Sequence, residues 1–298
     1  MTTAPHARPA RVMEFDVLRG ILVTGMVVVH VLAHIGGVVP YEEAVLWISV
    51  GFVFMSGMLG GAILLKSKRR RSIVLRGAKL VGLFVLLNLA LRGPASVTNV
   101  IARGDVTLAM FEILLPIGLV IMLLPAFAAA PGLLGGLCLL YLMTLDALHL
   151  SPYVLKFVAV GGIGAMSGAL AREWQTRCLY PEVIAGGLAV VLSVLLAPTL
   201  GIVAPLTFAL LLWFGSVPAL LRVAKFLPCV SSWLAMLGRH SLLLYILHVG
   251  VVAGLAKLHP PLWPTMLAVL LDCTLAAWIG DHSKRVPLLH GAYRLILR

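Results

Sequence analysis

The sequence predicts an all-α fold, a polytopic membrane bundle of about ten transmembrane helices with the N-terminus and C-terminus both inside. Three observations carry this expectation. Of 298 residues, 61% are apolar or aromatic and only 11% are charged, far below the quarter-charged composition of soluble domains, which excludes a soluble globular chain and a disordered one. Apolar stretches long enough to enter a bilayer recur along the whole chain, separated by Pro, Gly and charge clusters. The cations are also segregated: loops on one side collect nineteen of the 23 Lys and Arg residues, as the positive bias of cytoplasmic loops requires.

The apolar stretches fall at 17–38, 45–65, 77–91, 108–125, 132–148, 153–171, 183–199, 201–221, 241–256 and 263–280. The first, from Val17, is too long for the apolar core of a signal peptide. It is followed by Pro40-Tyr41-Glu42-Glu43 rather than a small-residue cleavage site, so it reads as an anchor that stays. The second contains Phe52-Val53-Phe54-Met55-Ser56-Gly57-Met58-Leu59-Gly60-Gly61, whose small residues fit close helix packing, with Ser56 as a cavity candidate. The third follows the run from Lys66 to Lys79, seven cations with no acid. The fourth carries Glu112, which with Asp272 in the last stretch is an acid well inside an apolar span; each either serves a site or caps and pairs structurally. The seventh and eighth are divided only by the short outer turn Ala197-Pro198-Thr199-Leu200-Gly201. With the N-terminus inside, only Arg92, Arg103, Lys156 and Lys257 fall outside. Residues 1–15 are then a cytoplasmic segment, 281–298 a cytoplasmic tail, and 1–298 one membrane domain.

The net charge of +12 belongs to scattered loop anchors facing anionic lipid, not to a continuous basic face with interleaved aromatics, so no nucleic acid is expected as partner. Cys138, Cys178, Cys229 and Cys273 lie far apart, without metal-ligand spacing, and read as buried thiols; no metal site is expected. No internal repeat is visible at the sequence level.

Polar groups inside apolar spans mark sites, because the surroundings make them costly unless they face the bundle interior or water. The first helix carries Asp16, Arg19, His30 and His34. Arg19 and His30 are eleven residues apart, three turns, so they share a face at a separation of roughly 16 Å along the axis. One reading is a path from a cytoplasmic cation to a deep imidazole; the other is a snorkelling Arg and a packed, hydrogen-bonded His. Later, Ser241, Tyr245 and His248 fall at i, i+4 and i+7 and share a face that either lines a cavity or packs the core. The basic run, with Arg69, Arg70, Arg71, Arg76 and Lys79, either anchors the chain to headgroups or recognises the phosphates of a cytosolic donor. Arg76 and Lys79, one turn apart, hold their geometry better than the stretch before them.

These residues resemble a known family. The segment Arg11-Val12-Met13-Glu14-Phe15-Asp16-Val17-Leu18-Arg19-Gly20, followed by His30, is similar to the opening of the membrane acyltransferase superfamily, with its R-x10-H spacing. That superfamily joins the acyltransferase-3 proteins, the periplasmic glucan succinyltransferases and the heparan glucosaminide acetyltransferase-like proteins. Phe54-Met55-Ser56-Gly57, Arg76-Gly77-Ala78-Lys79-Leu80 and the stretch Leu237-Gly238-Arg239-His240-Ser241-Leu242 to His248 resemble further family segments, in the same order, over residues 11 to about 250. The family's arginine pair reads Arg76-x-x-Lys79 here, and no stretch of these 298 residues reads as the extracellular hydrolase-like domain that some members append.

The resemblance implies acyl transfer from cytosolic acyl-CoA, acetyl-CoA or succinyl-CoA, as co-substrate, with no tightly bound cofactor, to a hydroxyl or amine of a glycan or similar acceptor at the outer face. It implies a catalytic group of His30, as base or acyl acceptor, with Arg19 and Asp16. Donor contacts would come from Arg69, Arg70, Arg71, Arg76, Lys79 and Arg239. Ser56, Glu112, Ser241, Tyr245, His248 and His34 are cavity or acceptor candidates. Implied partners are membrane lipids, the donor, the acceptor, and an envelope-assembly partner or a second copy; the implied place is a bacterial inner membrane. Two other classes compete. A proton-coupled transporter or exporter would use His30, His34, His248 and Glu112, but broken helices and repeated halves are not visible. A non-catalytic subunit of an envelope assembly would not need Arg19 and His30 together.

Overall fold

The computed structural model describes residues 13–37, 41–64, 70–103, 109–147, 153–174 and 227–282. Among them are ten α-helices and no strand. In chain order they are α1 (Met13–His34), α2 (Tyr41–Leu64), α3 (Arg70–Arg92), α4 (Pro94–Arg103), α5 (Leu114–Ala129), α6 (Pro131–Ala147), α7 (Tyr153–Trp174), α8 (Pro228–Arg239), α9 (Ser241–Leu255) and α10 (Leu262–His282). Four segments are long and apolar enough to cross a membrane: Phe15–His34, Arg70–Arg92, Ser241–Leu258 and Leu262–His282. Shorter apolar helices run through α2, α5, α6 and α7. The chain is an integral membrane protein.

Hydropathy locates these helices but not their ends. The third stretch was expected from residue 77, and α3 starts at Arg70, because the helix continues past its apolar part into a basic rim. Two helices were not expected at all. In α4, Ser, Thr, Asn and Arg dilute the apolar signal, and α8 is only 12 residues long. Their sequence mark is the proline at the first position of each, where the missing N–H costs nothing. Gly93, with φ 78°, makes the break between α3 and α4 in a conformation that favours glycine. The expected spans 183–199 and 201–221 lie outside the described residues.

Two further expectations need correcting. Glu112 is not inside the fourth span: α5 begins at Leu114, and Glu112 lies in the turn before it, next to Phe111, whose φ of 57° breaks helical geometry. Cys229 is not buried: it sits exposed on the short helix α8, while Cys273 is buried and Cys138 half-buried.

Small residues decide which helices touch. In apolar solvent the hydrophobic effect gives helices no reason to associate, so close backbone approach and dispersion take its place. The most extensive contact is between α2 and α7. A methyl group on Gly57 would collide with the carbonyl of Gly161, one on Gly61 with that of Ala165, and one on Gly164 with that of Phe54. The same device joins α1 to α8, where Gly238 abuts the Asp16 carbonyl, and α3 to α5, where Gly77 abuts Gly118. Helix α1 is the hub: it contacts α2, α8, α9 and α10, and buries Leu18, Leu22, Met26 and Val27 among them.

Candidate functional site

Where the start of α1, the start of α3, the end of α2 and the α8–α9 junction converge, they enclose a cavity of about 260 Å³. Its wall carries four cations from three separate parts of the chain: Arg19, Arg76, Lys79 and Arg239. No acidic side chain is among the described residues that line it. Hydroxyls come from Ser56, Ser241 and Tyr245, and the apolar wall from Phe52, Met55, Ile113, Leu114 and Ile117. The Ser56 hydroxyl donates to the Phe52 carbonyl one turn back (2.7 Å), which fixes its lone pairs. An acid-free wall of guanidinium and ammonium groups with an apolar lining suits an anionic ligand that carries an uncharged arm.

Arg239 is held by a group the sequence reading passed over. The Asp281 carboxylate near the end of α10 accepts hydrogen bonds from Arg239 and from His240 Nε2 (3.0 Å), so α10 fixes two cavity-wall residues through one acid. A lone acid close to a chain end gives no sequence signal of such a link. Asn88 is likewise unheralded. Its amide donates to the carbonyls of Phe84 (3.0 Å) and Met110 (2.7 Å) and accepts from the Met110 N–H (2.8 Å). That clamp holds the turn in which Phe111 packs edge-on against Tyr245, at 6.0 Å between ring centres.

Tyr245 leads from the cavity to a buried pair of imidazoles. Its ring lies 5.7 Å from that of His248, and His248 in turn stacks on His30 at 5.0 Å, with His30 Nδ1 and His248 Nε2 2.9 Å apart. Both histidines are buried, 4% and 0% exposed. His248 Nδ1 lies 2.8 Å from the Leu244 carbonyl, which can only accept, so that nitrogen carries its proton. With both rings neutral, His248 Nε2 is then the acceptor, His30 Nδ1 the donor, and the lone pair of His30 sits on Nε2.

The residues singled out in the sequence thus separate into groups. Arg19, Ser56, Arg76, Lys79, Arg239, Ser241 and Tyr245 line one cavity. The face shared by Ser241, Tyr245 and His248 was expected to line one cavity, but only the first two do; His248 turns toward His30, and neither of these two histidines is on the wall. His34 is exposed at the end of α1, its ring 5.8 Å from His30. Asp16 is buried one turn before Arg19 against α8, outside the cavity wall. Arg70 and Arg71 stand exposed at the start of α3, away from the wall, and Arg69 lies outside the described residues.

The described helices form an apolar bundle with a basic cavity near a buried histidine pair. The family model described as "Heparan-alpha-glucosaminide N-acetyltransferase, catalytic" matches residues 11–166, just over half of the chain, and the chain belongs to that family. Of the three branches that the sequence resembles, the match falls in the third. No curated protein and no solved structure matches the chain.

Proposed function

We propose that the protein transfers an acetyl group from acetyl-CoA, bound at the cytoplasmic side, to the amino group of a glucosamine-type acceptor that enters from the other side of the membrane. The observation that carries this reading is the cluster of Arg19, Arg76, Lys79 and Arg239, on a cavity wall with no acid among its described residues, which ends at Tyr245 beside the His30–His248 pair. The cations take the phosphates of the donor, and its pantetheine arm lies along the apolar wall. The family description names an acetyltransferase acting on heparan glucosaminide, which favours acetyl over succinyl and an amine over a hydroxyl.

In this mechanism His30 is the general base. Its Nε2 takes a proton from the acceptor amine as the nitrogen attacks the thioester carbonyl carbon. The tetrahedral intermediate collapses with cleavage of the C–S bond, and the departing thiolate takes the proton from His30, leaving an amide and free CoA. Ser241 and Tyr245 are the cavity hydroxyls suited to donate to the oxyanion. Arg19, three turns from His30 on α1, links the donor site to the base along one helix.

The test is transfer from acetyl-CoA to a glucosamine-terminated acceptor by purified protein in nanodiscs. General-base removal costs roughly 10²- to 10⁴-fold, so His30→Ala is expected to lose at least a hundredfold in kcat with thermal unfolding near that of the wild type. Retained activity would remove His30 from the chemistry. The cation cluster predicts that millimolar CoA and acetyl-CoA each raise the unfolding temperature; no shift would favour the transporter reading.

A further inference from the structure

We infer that His248 is the positioning residue for His30: it selects the tautomer in which the His30 lone pair sits on Nε2, and it aims that lone pair by holding Nδ1 from behind. This rests on the proposed role of His30 as base, and adds a residue 218 positions away in the chain to that role.

Three observations converge on it. The His30 Nδ1 to His248 Nε2 distance of 2.9 Å is a full hydrogen bond, and the rings stack 24° from parallel, so the contact fixes both the distance and the ring plane. His248 is itself locked, because its other nitrogen donates to the Leu244 carbonyl at 2.8 Å, which leaves one acceptor role for Nε2. The pair also bridges two helices. His30 is on α1 and His248 on α9, so the register of α1 against α9 is read out at the imidazole that performs the chemistry. A base orientated by a second group, itself anchored to a fixed acceptor, is the arrangement by which an imidazole is kept in one tautomer in other acyl-transfer sites, where the wrong tautomer is severely inactivating. Here an imidazole replaces the usual carboxylate. It supplies the same acceptor without a second buried charge, which burial to 4% and 0% exposure would disfavour.

A further ring near His30, that of His34, lies farther off at 5.8 Å and is exposed. It stands on the same helix as His30 and so carries no information on how α1 sits against α9.

Two substitutions separate positioning from packing. His248→Leu keeps an apolar side chain in the space but removes the acceptor. His248→Gln keeps an acceptor oxygen near the place of Nε2. Both are assayed for acetyl transfer at saturating donor, with the KM for acetyl-CoA measured alongside and His30→Ala as reference. The expected result is that His248→Leu lowers kcat at least about tenfold with donor KM within about twofold of wild type, and that His248→Gln recovers most of the loss. Wild-type kcat in His248→Leu overturns the inference, and so does a His248→Gln as slow as His248→Leu. If His248→Leu does not fold, the Gln variant decides alone: kcat within about threefold of wild type supports the inference, and a larger loss at unchanged KM overturns it. The reading of His30 as base fails separately, through an active His30→Ala.

Discussion

A charged side chain in an apolar bundle has to be satisfied by a neighbour, and the neighbour then decides what the charge can do. Arg239 illustrates this at the single-residue scale. It stands at the C-terminal end of α8, on the cavity wall, with its guanidinium engaged on one side by Asp281. Both partners are partly accessible, 31% and 21%, so the pair contributes modestly to stability, about 0.2–1 kcal/mol. Its consequence is geometric: one side of the guanidinium is committed to α10, on a residue that also lines the cavity. Asp281→Asn is expected to raise the KM for acetyl-CoA about two- to fivefold while leaving kcat near wild type, in steady-state transfer assays over a donor series. An unchanged KM would mean that Arg239 holds its place without the acid. Arg19 and His30 stood out in the sequence because their eleven-residue spacing puts two polar groups on one face of an apolar helix. The links from His248 to His30 and from Asp281 to Arg239 were not, because each depends on how two distant helices pack, and no local periodicity encodes that.

At the scale of helices, glycine placement does the work that apolar burial does in soluble proteins. The α2–α7 contact brings backbone against backbone at Gly57, Gly61, Gly161 and Gly164, and α2 also supplies Phe52, Met55 and Ser56 to the cavity wall. A shift of α2 away from α7 therefore changes the cavity wall as well as the stability. Gly164 and Gly136 form a matched pair for testing this. Both are mid-helix glycines, but a methyl at Gly164 strikes the Phe54 carbonyl, whereas one at Gly136 meets nothing within 4 Å. Gly164→Ala is expected to cost about 1–3 kcal/mol, as overpacking does. Gly136→Ala should be neutral or slightly stabilising, since alanine is the better helix former by up to about 1 kcal/mol. Thermal unfolding of both variants in the same nanodiscs checks it, and equal behaviour would refute the close-packing account. The small-residue stretch in α2 was visible in the sequence as a packing signal; its partner on α7 was not, because small residues mark a contact face without naming the face opposite. Helices α4 and α8 escaped notice for another reason: one is too polar and the other too short to register as a span, although each opens on a proline.

For the molecule as a whole, the site gives an independent handle on topology. The start of α1 packs against the end of α8 at Asp16 and Gly238, and the end of α10 reaches the same place through Asp281 and Arg239. The first and last helices described therefore have their outward-running ends on one side of the bundle, together with the cavity and the basic start of α3. Along α10, exposed Trp263 and Trp278 stand toward its two ends, where aromatic side chains anchor a crossing helix at the interfaces. A full crossing by α10 that ends beside the start of α1 predicts an even number of crossings from α1 through α10. The expected placing of nineteen of 23 cations on one side predicts that this end is the cytoplasmic one. Reporter fusions that are active on only one side of the membrane should accordingly score both the N-terminus and the C-terminus as cytoplasmic. A reporter inserted between Leu258 and Leu262, in the connection before α10, should score as external. Termini on opposite sides would break the even count. Two external termini would turn the cation cluster away from the cytosol and with it remove the route by which CoA reaches Arg76 and Lys79.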